Sequence, residues 1–211
     1  MNFFKDFYDD GRFVRSVNAT FLVLIPKRGD AEDLRDFKPI NLVGGLYKWL
    51  DKVLANKLKL VLNKVISNAQ NAFVEGRQIM DAMLIENEAI DSIMKSKGGA
   101  ILCKLDLEKA YDHVEWPFLF LVLEKMGFGD KWIKWIKWCV PTTRFSILVN
   151  GTPSGFFQSS RGLRQGDPIS PYLFMVVMKA LSYLIKRVVN GGFLSPCQLG
   201  VEEEKGLKSP I

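Results

Sequence analysis

The chain has 211 residues, of which 48% are hydrophobic and 25% are charged, and its net charge is +6 at pH 7. The hydrophobic content supports a sizeable core and predicts one globular domain or two small ones. The three cysteines are widely spaced, which argues against a disulfide framework or a zinc site and predicts an intracellular compartment, either nucleus or cytoplasm. The basic balance favours a polyanionic partner, because Lys and Arg release counterions from a phosphate backbone.

No segment has the pattern of a signal peptide or a membrane span. The N-terminal sequence MNFFKDFYDDGRF contains acidic residues and no continuous apolar region. The best candidate span, YLFMVVMKALSYLI, is interrupted by Lys179 and is shorter than the roughly 20 apolar residues that cross a bilayer. We therefore expect no membrane partner.

The first half of the chain is predicted to contain two strands and two helices, followed by a third strand. TFLVLIP reads as a strand that ends at Pro26, and INLV reads as a second strand able to pair with it. Apolar residues at helical spacing predict helices over 46–66 and 78–95. The apolar run at 100–105 predicts an interior strand that leads directly into Asp106.

The second half is predicted to contain three helices and a hairpin. One helix follows Pro117, and the next begins in GDKWIKWIKWC with Asp130 as its N-cap. FSILVNGTPSGFFQSS predicts a hairpin around Asn150-Gly151, and Pro171 begins a long apolar helix. Helices and strands are mixed, with a hairpin beside a strand, which favours an α+β fold over a doubly wound parallel sheet.

The repeat KWIKWIKWC places tryptophans and lysines at intervals of three residues. Steps of three drift slowly around a helix, so the two residue types form adjacent stripes. The pattern favours core packing with a basic rim over base stacking or a membrane surface.

Asp106 is the first candidate functional residue. A carboxylate at the end of an interior strand is costly to bury unless a cation or a ligand compensates the desolvation. Such a placement is typical of a magnesium ligand in phosphoryl or nucleotidyl transfer. The alternative is that Asp106 caps the following turn and pairs with Lys104 or Lys109. Spacing alone leaves both interpretations open.

The second informative segment is SSRGLRQGDPISPYLF. Gly166 allows close approach of a ligand to the backbone, and Gln165 offers both a donor and an acceptor ahead of a helix. Arg161 and Arg164 can neutralise phosphate. The alternative is an ordinary connector rich in Gly and Pro, with exposed arginines.

Four segments in order carry a resemblance to one family. They are FLVLIPKRGDAEDLRDFKPINLVGGLYKWLDKVLANKLK, QNAFVEGRQIMDAMLIENEAI, KLDLEKAYDHVEW and RGLRQGDPISPYLF. They resemble the fingers region and the first two palm motifs of reverse transcriptases from LINE-type non-LTR retrotransposons, particularly those of plants. The resemblance implies a fingers-like region over 1–100, a partial palm over 101–194 and a divergent, disordered tail over 195–211.

The resemblance also implies site residues. Asp106 and the main-chain carbonyl of Leu107 would bind Mg²⁺, and Tyr111 would lie beneath the incoming sugar and exclude a 2′-hydroxyl. The remaining implied contacts are Gln165 and Gly166 with the incoming dNTP and the templating pair, Lys27 and Lys38 with the triphosphate, and Arg77 with the backbone of an RNA template. Lys38 departs from the family, in which Arg is usual before Pro-Ile, so a point charge replaces a bidentate fork. The alternatives are a half-buried core aromatic for Tyr111 and ordinary surface charge for the basic residues.

The sequence has no aromatic-Ala-Asp-Asp run, the third motif with which this family completes its metal site. The implied right-hand polymerase fold is therefore a fingers and palm fragment, whose incomplete palm sheet lacks the Asp-Asp hairpin and the thumb. We expect weak Mg²⁺ binding and no activity of the chain alone. Three functions stay open: a reverse transcriptase fragment, a non-catalytic module that binds RNA or an RNA/DNA duplex, and a magnesium phosphohydrolase built on Asp106 and Glu108.

Overall fold

The fold is α+β, with six helices and a mixed four-stranded sheet among the described residues. The computed structural model describes residues 3–13, 15–65, 78–95, 103 and 105–195. The chain forms two compact units, Met1–Ile66 with Leu107–Tyr183 and Ser67–Asp106 with Leu184–Ile211. The first unit takes segments from both sides of residue 100, and the functional boundary at that residue stays a prediction.

The sheet contains the strands β1 (Ala19–Pro26), β2 (Phe37–Val43), β3 (Arg144–Val149) and β4 (Thr152–Phe157) in the order β2-β1-β3-β4. β1 pairs with β2, as the sequence predicted; this pair is antiparallel, and β1 pairs parallel with β3. The parallel pair joins the beginning of the unit to a segment more than a hundred residues later in the chain. This long-range pairing brings the second half of the chain next to the first two strands.

The β3–β4 hairpin turns at Asn150 and Gly151, as predicted. The two residues have φ angles of 50° and 78°, the left-handed values that a two-residue type I′ turn requires. The register shifts between Phe145 and Ile147, which marks a bulge in this antiparallel pair.

The helices are α1 (Phe3–Asp10), α2 (Gly45–Val65), α3 (Ile79–Lys95), α4 (Trp116–Lys125), α5 (Asp130–Cys139) and α6 (Ser170–Asn190). All except α1 were predicted from periodicity or from turn and cap residues. The predicted cap of α5 is wrong, because Gly129 is the N-cap and Asp130 is the first helical residue. In that position the Asp130 carboxylate interacts favourably with the positive end of the helix dipole. None of the described helices is long and apolar enough to cross a membrane.

The tryptophans of α5 confirm the prediction of core packing. Trp135 and Trp138 are only 8% and 6% exposed. Their rings contact Phe7 of α1 at centroid distances of 5.9 and 5.5 Å. The ammonium of Lys131 lies 3.3 Å from the centroid of the Tyr8 ring. The lysines of this helix therefore border an aromatic core, and one of them makes a cation-π contact.

The strand predicted at 100–105 is not found in its described part. Residues 103 and 105–107 belong to no strand, and Leu105 is 80% exposed; residues 100–102 and 104 lie outside the described residues. An apolar run forms a strand only when a neighbouring strand satisfies its backbone groups. Among the described strands, pairing involves β1 to β4 alone.

Candidate functional site

The two segments singled out in the sequence, the turn 107–114 and the loop 161–167, lie against each other. The main-chain N–H of Gly162 donates to the Val114 carbonyl at 2.8 Å, and that of Leu163 donates to the Tyr111 carbonyl at 2.9 Å. The indole N–H of Trp116 donates to the Gly162 carbonyl at 2.8 Å. Three hydrogen bonds thus fix the loop beside the turn.

Gly162 allows this close approach. Its φ is 93°, and a Cβ at this position would lie 3.2 Å from both the Cα and the carbonyl oxygen of Asp112. Residues other than glycine rarely adopt such a backbone conformation, and the Asp112 atoms that the Cβ would meet belong to the main chain. A glycine is therefore required where the loop crosses the turn.

Strand β2 forms the third wall of the site. The side-chain amide of Asn41 donates to the Gln165 carbonyl at 2.7 Å. Because successive residues of a strand point to opposite faces, Lys38 and Asn41 lie on opposite sides of β2. The loop is consequently held from two directions, by the turn and by β2.

Arg164 lies in the core, which corrects the expectation that it contacts phosphate. Its side chain is 6% exposed and forms an ion pair of 2.8 Å with Asp167, whose side chain is 3% exposed. The guanidinium also donates to Asn18 Oδ1 at 3.0 Å, to the Cys139 carbonyl at 3.1 Å and to the hydroxyl of Tyr47. These acceptors surround the guanidinium, so its charge is compensated by buried protein groups.

A second buried carboxyl, Asp51 of α2, completes this cluster. Asp51 accepts a hydrogen bond of 2.9 Å from the main-chain N–H of Ile169. Burial, reinforced by the charge of Asp167, raises the pKa of Asp51 well above its ordinary value. Burial also raises the pKa of Asp167, although the charge of Arg164 opposes that shift. The two carboxyls together hold one proton. We assign this proton to Asp51 and the negative charge to Asp167, which faces the guanidinium of Arg164.

The cluster joins α2, α5 and the loop 161–167, and of its side chains sequence reasoning identified only Arg164. Asn18 precedes the first quoted segment, whereas Tyr47, Asp51 and Asp167 lie within the quoted segments but were not singled out. The available signal was a polar residue on an otherwise apolar face of α2: Asp51 follows Leu50 and precedes Leu54, both buried. A carboxyl at a core position of a helix indicates a buried partner.

Four of the five residues predicted to bind a nucleotide line one cavity of about 560 Å³. They are Lys38, Tyr111, Gln165 and Gly166, and Lys109 also lines this cavity. We call this space the front cavity. Tyr111 is half-buried, its ring lies 5.1 Å from that of Phe174, and burial raises the pKa of its hydroxyl. The neutral Tyr111 ring is thus held against α6 at the cavity wall.

A second cavity, of about 580 Å³, adjoins the first, and we call it the rear cavity. Asn41, His113, Trp116 and Arg161 are among the residues that line it. Lys109, Gln165 and Asp167 line both cavities. The turn and the loop therefore contribute residues to both cavities.

Two other predicted contacts, Lys27 and Arg161, do not line the front cavity. The Lys27 ammonium donates to the Arg35 carbonyl at 2.8 Å. Arg161 is exposed and pairs with Glu115 at 3.2 Å. Arg77 lies outside the described residues. Asp106 is exposed and belongs to the second compact unit.

The described residues do not assemble a metal site. No group of three or more His, Cys, Asp or Glu side chains among them is arranged to hold an ion. Magnesium prefers a near-octahedral set of oxygen ligands, and two-metal chemistry needs carboxylates that clamp both ions. Asp106 and the Leu107 carbonyl do not fill that requirement.

Comparison with known families matches residues 25–197 to reverse transcriptase (RNA-dependent DNA polymerase). This range is more than half of the chain, and it contains the end of β1, all of β2, the turn 107–114 and the loop 161–167. The chain therefore belongs to the reverse transcriptase family, as its four ordered motifs predicted. Reverse transcriptases generally use a divalent metal ion.

Proteins of non-LTR retrotransposons are among the relatives. The chain is 26% identical to the uncharacterized 149 kDa protein of transposon TX1 from Xenopus laevis over 184 residues, which are 87% of this chain and 14% of that protein. It is 30% identical to the Pol polyprotein of the type-1 retrotransposable element R2 from Nasonia vitripennis over 178 residues, 82% of this chain and 16% of that protein. The chain thus spans about one sixth of these relatives.

A shorter relative matches only one segment. An uncharacterized mitochondrial protein of Arabidopsis thaliana is 51% identical over 48 residues, which cover 23% of this chain and 39% of that protein.

Proposed function

We propose that this chain is the nucleotide-binding and template-facing part of an RNA-directed DNA polymerase from a non-LTR retrotransposon. The reaction of such an enzyme is attack of a primer 3′-hydroxyl on the α-phosphate of a dNTP opposite an RNA template. The observation that carries the proposal is the front cavity, where Lys38, Tyr111, Gln165 and Gly166 meet although they come from three separate segments. The 48-residue similarity to an Arabidopsis protein supports a plant element as the source.

Each side chain of the front cavity has a role in this proposal. The exposed ammonium of Lys38 contacts the triphosphate, and the flat ring of Tyr111 lies under the sugar, where it leaves no room for a 2′-hydroxyl. Gln165 contacts the base pair with its side-chain amide, because its main-chain carbonyl already accepts a hydrogen bond from Asn41. The hydrogen bonds of the Gln165 carbonyl and of the Leu163 N–H fix the main chain at Gln165. This favours binding, because less conformational entropy is lost when the side-chain amide contacts the base pair.

For the chain alone we propose binding without turnover. Asp106 and the Leu107 carbonyl stay as proposed ligands of Mg²⁺, but they supply too few oxygens for tight binding. Template RNA and an RNA/DNA duplex would be held by basic residues, among them the exposed Arg161 and Lys27, and by Arg77, which lies outside the described residues. Net positive charge supports this second activity, which needs no metal site.

Nucleotide binding tests the proposal directly. A fluorescent dNTP titrated into the chain should give a saturable rise in anisotropy, and Tyr111→Ala and Gln165→Ala should each weaken it by about tenfold, as loss of a buried contact does. Lys52→Ala is the matched control, because Lys52 is exposed on α2 and lines neither cavity. Equal affinities of the parent and both cavity variants would refute the front cavity as the nucleotide site.

Primer extension tests the absence of turnover. With Mg²⁺, all four dNTPs and a primed RNA template, the chain should give no extension above a reaction without protein. Extension that disappears in Asp106→Ala would show that the chain completes its metal site in a way the described residues do not. An RNA/DNA duplex should nevertheless bind, with an affinity that falls steeply as salt increases.

A further inference from the structure

Lys109 has an unusual backbone conformation at the junction of the two cavities. Its φ is 51°, and it is one of two residues other than glycine with a positive φ in the described part of the chain. The other, Asn150, lies in a hairpin turn that requires this conformation. The left-handed region is unfavourable for a residue with a Cβ, because the Cβ comes too close to the following carbonyl oxygen. Glycine would adopt this conformation without that clash, so the conformation does not explain why the residue is a lysine.

The turn alone does not require a lysine. The Lys109 carbonyl accepts a hydrogen bond of 2.9 Å from the main-chain N–H of Asp112, and any residue type supplies that carbonyl. Among the described residues, the Lys109 ammonium forms no ion pair, although Glu108 and Asp112 lie close in sequence. The side chain is exposed, so it does not contribute to the core.

The surroundings of Lys109 favour an anion. Lys38, on strand β2, also lines the front cavity, is exposed and forms no ion pair among the described residues. Of the described residues that line this cavity, Asp167 alone carries a carboxylate, and it is buried and paired with Arg164 at 2.8 Å. In the described part of the chain, two ammonium groups without ion-pair partners therefore border a cavity whose carboxylate is neutralised, and the local potential is positive.

We infer that Lys109 is a second triphosphate-binding residue of the front cavity, acting together with Lys38. The inference rests on the proposed function and adds to it the source of the second positive charge. A triphosphate carries several negative charges, and one exposed lysine neutralises too few of them. The strained conformation holds the base of the Lys109 side chain at the rim where the front and rear cavities meet. Pre-positioning of this kind reduces the ordering cost on binding.

The test measures binding of a fluorescent dNTP and of the matching deoxynucleoside to four variants, in buffer with EDTA so that no metal ion contributes. Lys109→Gly removes the side chain and suits the left-handed backbone, whereas Lys109→Ala removes the side chain and keeps the strain. Lys109→Arg keeps the charge, and Lys52→Ala removes one charge far from the cavity. We expect both Lys109→Gly and Lys109→Ala to weaken dNTP binding by about three- to tenfold, the range for one partly exposed charge pair. Lys109→Arg, Lys52→Ala and all deoxynucleoside affinities should stay within about twofold of the parent.

The outcomes separate this inference from the function on which it rests. If Lys109→Gly binds the dNTP as the parent does while Gln165→Ala binds it less well, Lys109 is only a turn residue and the front cavity remains the nucleotide site. Equal losses for the dNTP and the deoxynucleoside would also overturn the inference, because they would reflect a change of cavity shape and not of charge. If Gln165→Ala and Tyr111→Ala bind like the parent, the nucleotide site itself is refuted, and the role of Lys109 with it.

Discussion

The side-chain amide of Asn41 donates a hydrogen bond of 2.7 Å to the main-chain carbonyl of Gln165. This contact connects strand β2 to the loop 161–167 across more than a hundred residues of sequence. It attaches Gln165, which is proposed to contact the base pair, to the strand that carries Lys38. Lys38 and Gln165, which both line the front cavity, are therefore connected through the side chain of Asn41.

Asn41→Ala should lower the free energy of unfolding by about 1 kcal/mol, the usual net value of one hydrogen bond. It should also weaken dNTP binding, because Gln165 loses the hydrogen bond that fixes the position of its main chain. Urea denaturation and anisotropy measure the two effects. Asn56→Ala, an exposed substitution on α2, is the control and should leave both unchanged. A parent-like affinity for Asn41→Ala would show that the turn alone holds the loop.

Arg164→Met should lower the free energy of unfolding by about 3 to 5 kcal/mol, because it leaves the Asp167 carboxylate buried without a counter-charge. Arg164→Met combined with Asp167→Asn removes both charges and should lose less than the sum of the two single changes. Chemical denaturation of the parent, the two single variants and the double variant completes the cycle. Additive losses would contradict a direct coupling between the two side chains.

Asp51→Asn should become more stabilising as pH rises. The pKa of Asp51 is raised in the folded state above its ordinary value of 3.8, so the folded chain binds the proton more tightly than the unfolded chain does. The contribution of Asp51 to stability is therefore fully present below the unfolded pKa and is lost as pH rises through the folded pKa. Asparagine keeps an acceptor for the Ile169 N–H and does not titrate.

Urea midpoints of the parent and Asp51→Asn, compared between pH 4 and pH 8, test this sign. The difference in favour of the variant should grow with pH over that range. A difference that is constant with pH, or that shrinks, would show that Asp51 is ionised in the folded chain and that Asp167 holds the proton.

Gly162→Ala should lower the free energy of unfolding by about 1 to 3 kcal/mol, because the new Cβ meets Asp112 backbone atoms at 3.2 Å and φ is 93°. Gly45→Ala is the matched control: it lies at the start of α2, and nothing stands within 4 Å of its added Cβ. That change should be neutral or slightly stabilising. Thermal unfolding distinguishes them, and equal melting temperatures would indicate that the loop can move away from the turn.

Local sequence determined most of the secondary structure of this protein. Asn150-Gly151 specifies its own turn geometry, and the apolar spacing of α2 and α3 predicts helices without knowledge of their neighbours. The exceptions have tertiary causes. The apolar run before Asp106 has a strand-like composition, but a strand forms only beside a partner, and the described residues supply none.

The candidate site was also determined partly by local sequence and partly by tertiary packing. The ordered motifs determined the family, since a motif is a local string of residue types. Burial is not local: Arg161 and Arg164 lie three residues apart in one loop with similar neighbours, yet the first is exposed and the second is in the core. Only the packing of α2, α5 and the loop decides which guanidinium meets Asp167 and which meets solvent. The tertiary structure also brings Lys109 and Lys38 to one cavity, because a cavity is formed by segments that are distant in sequence and its charge is the sum of what each of them contributes.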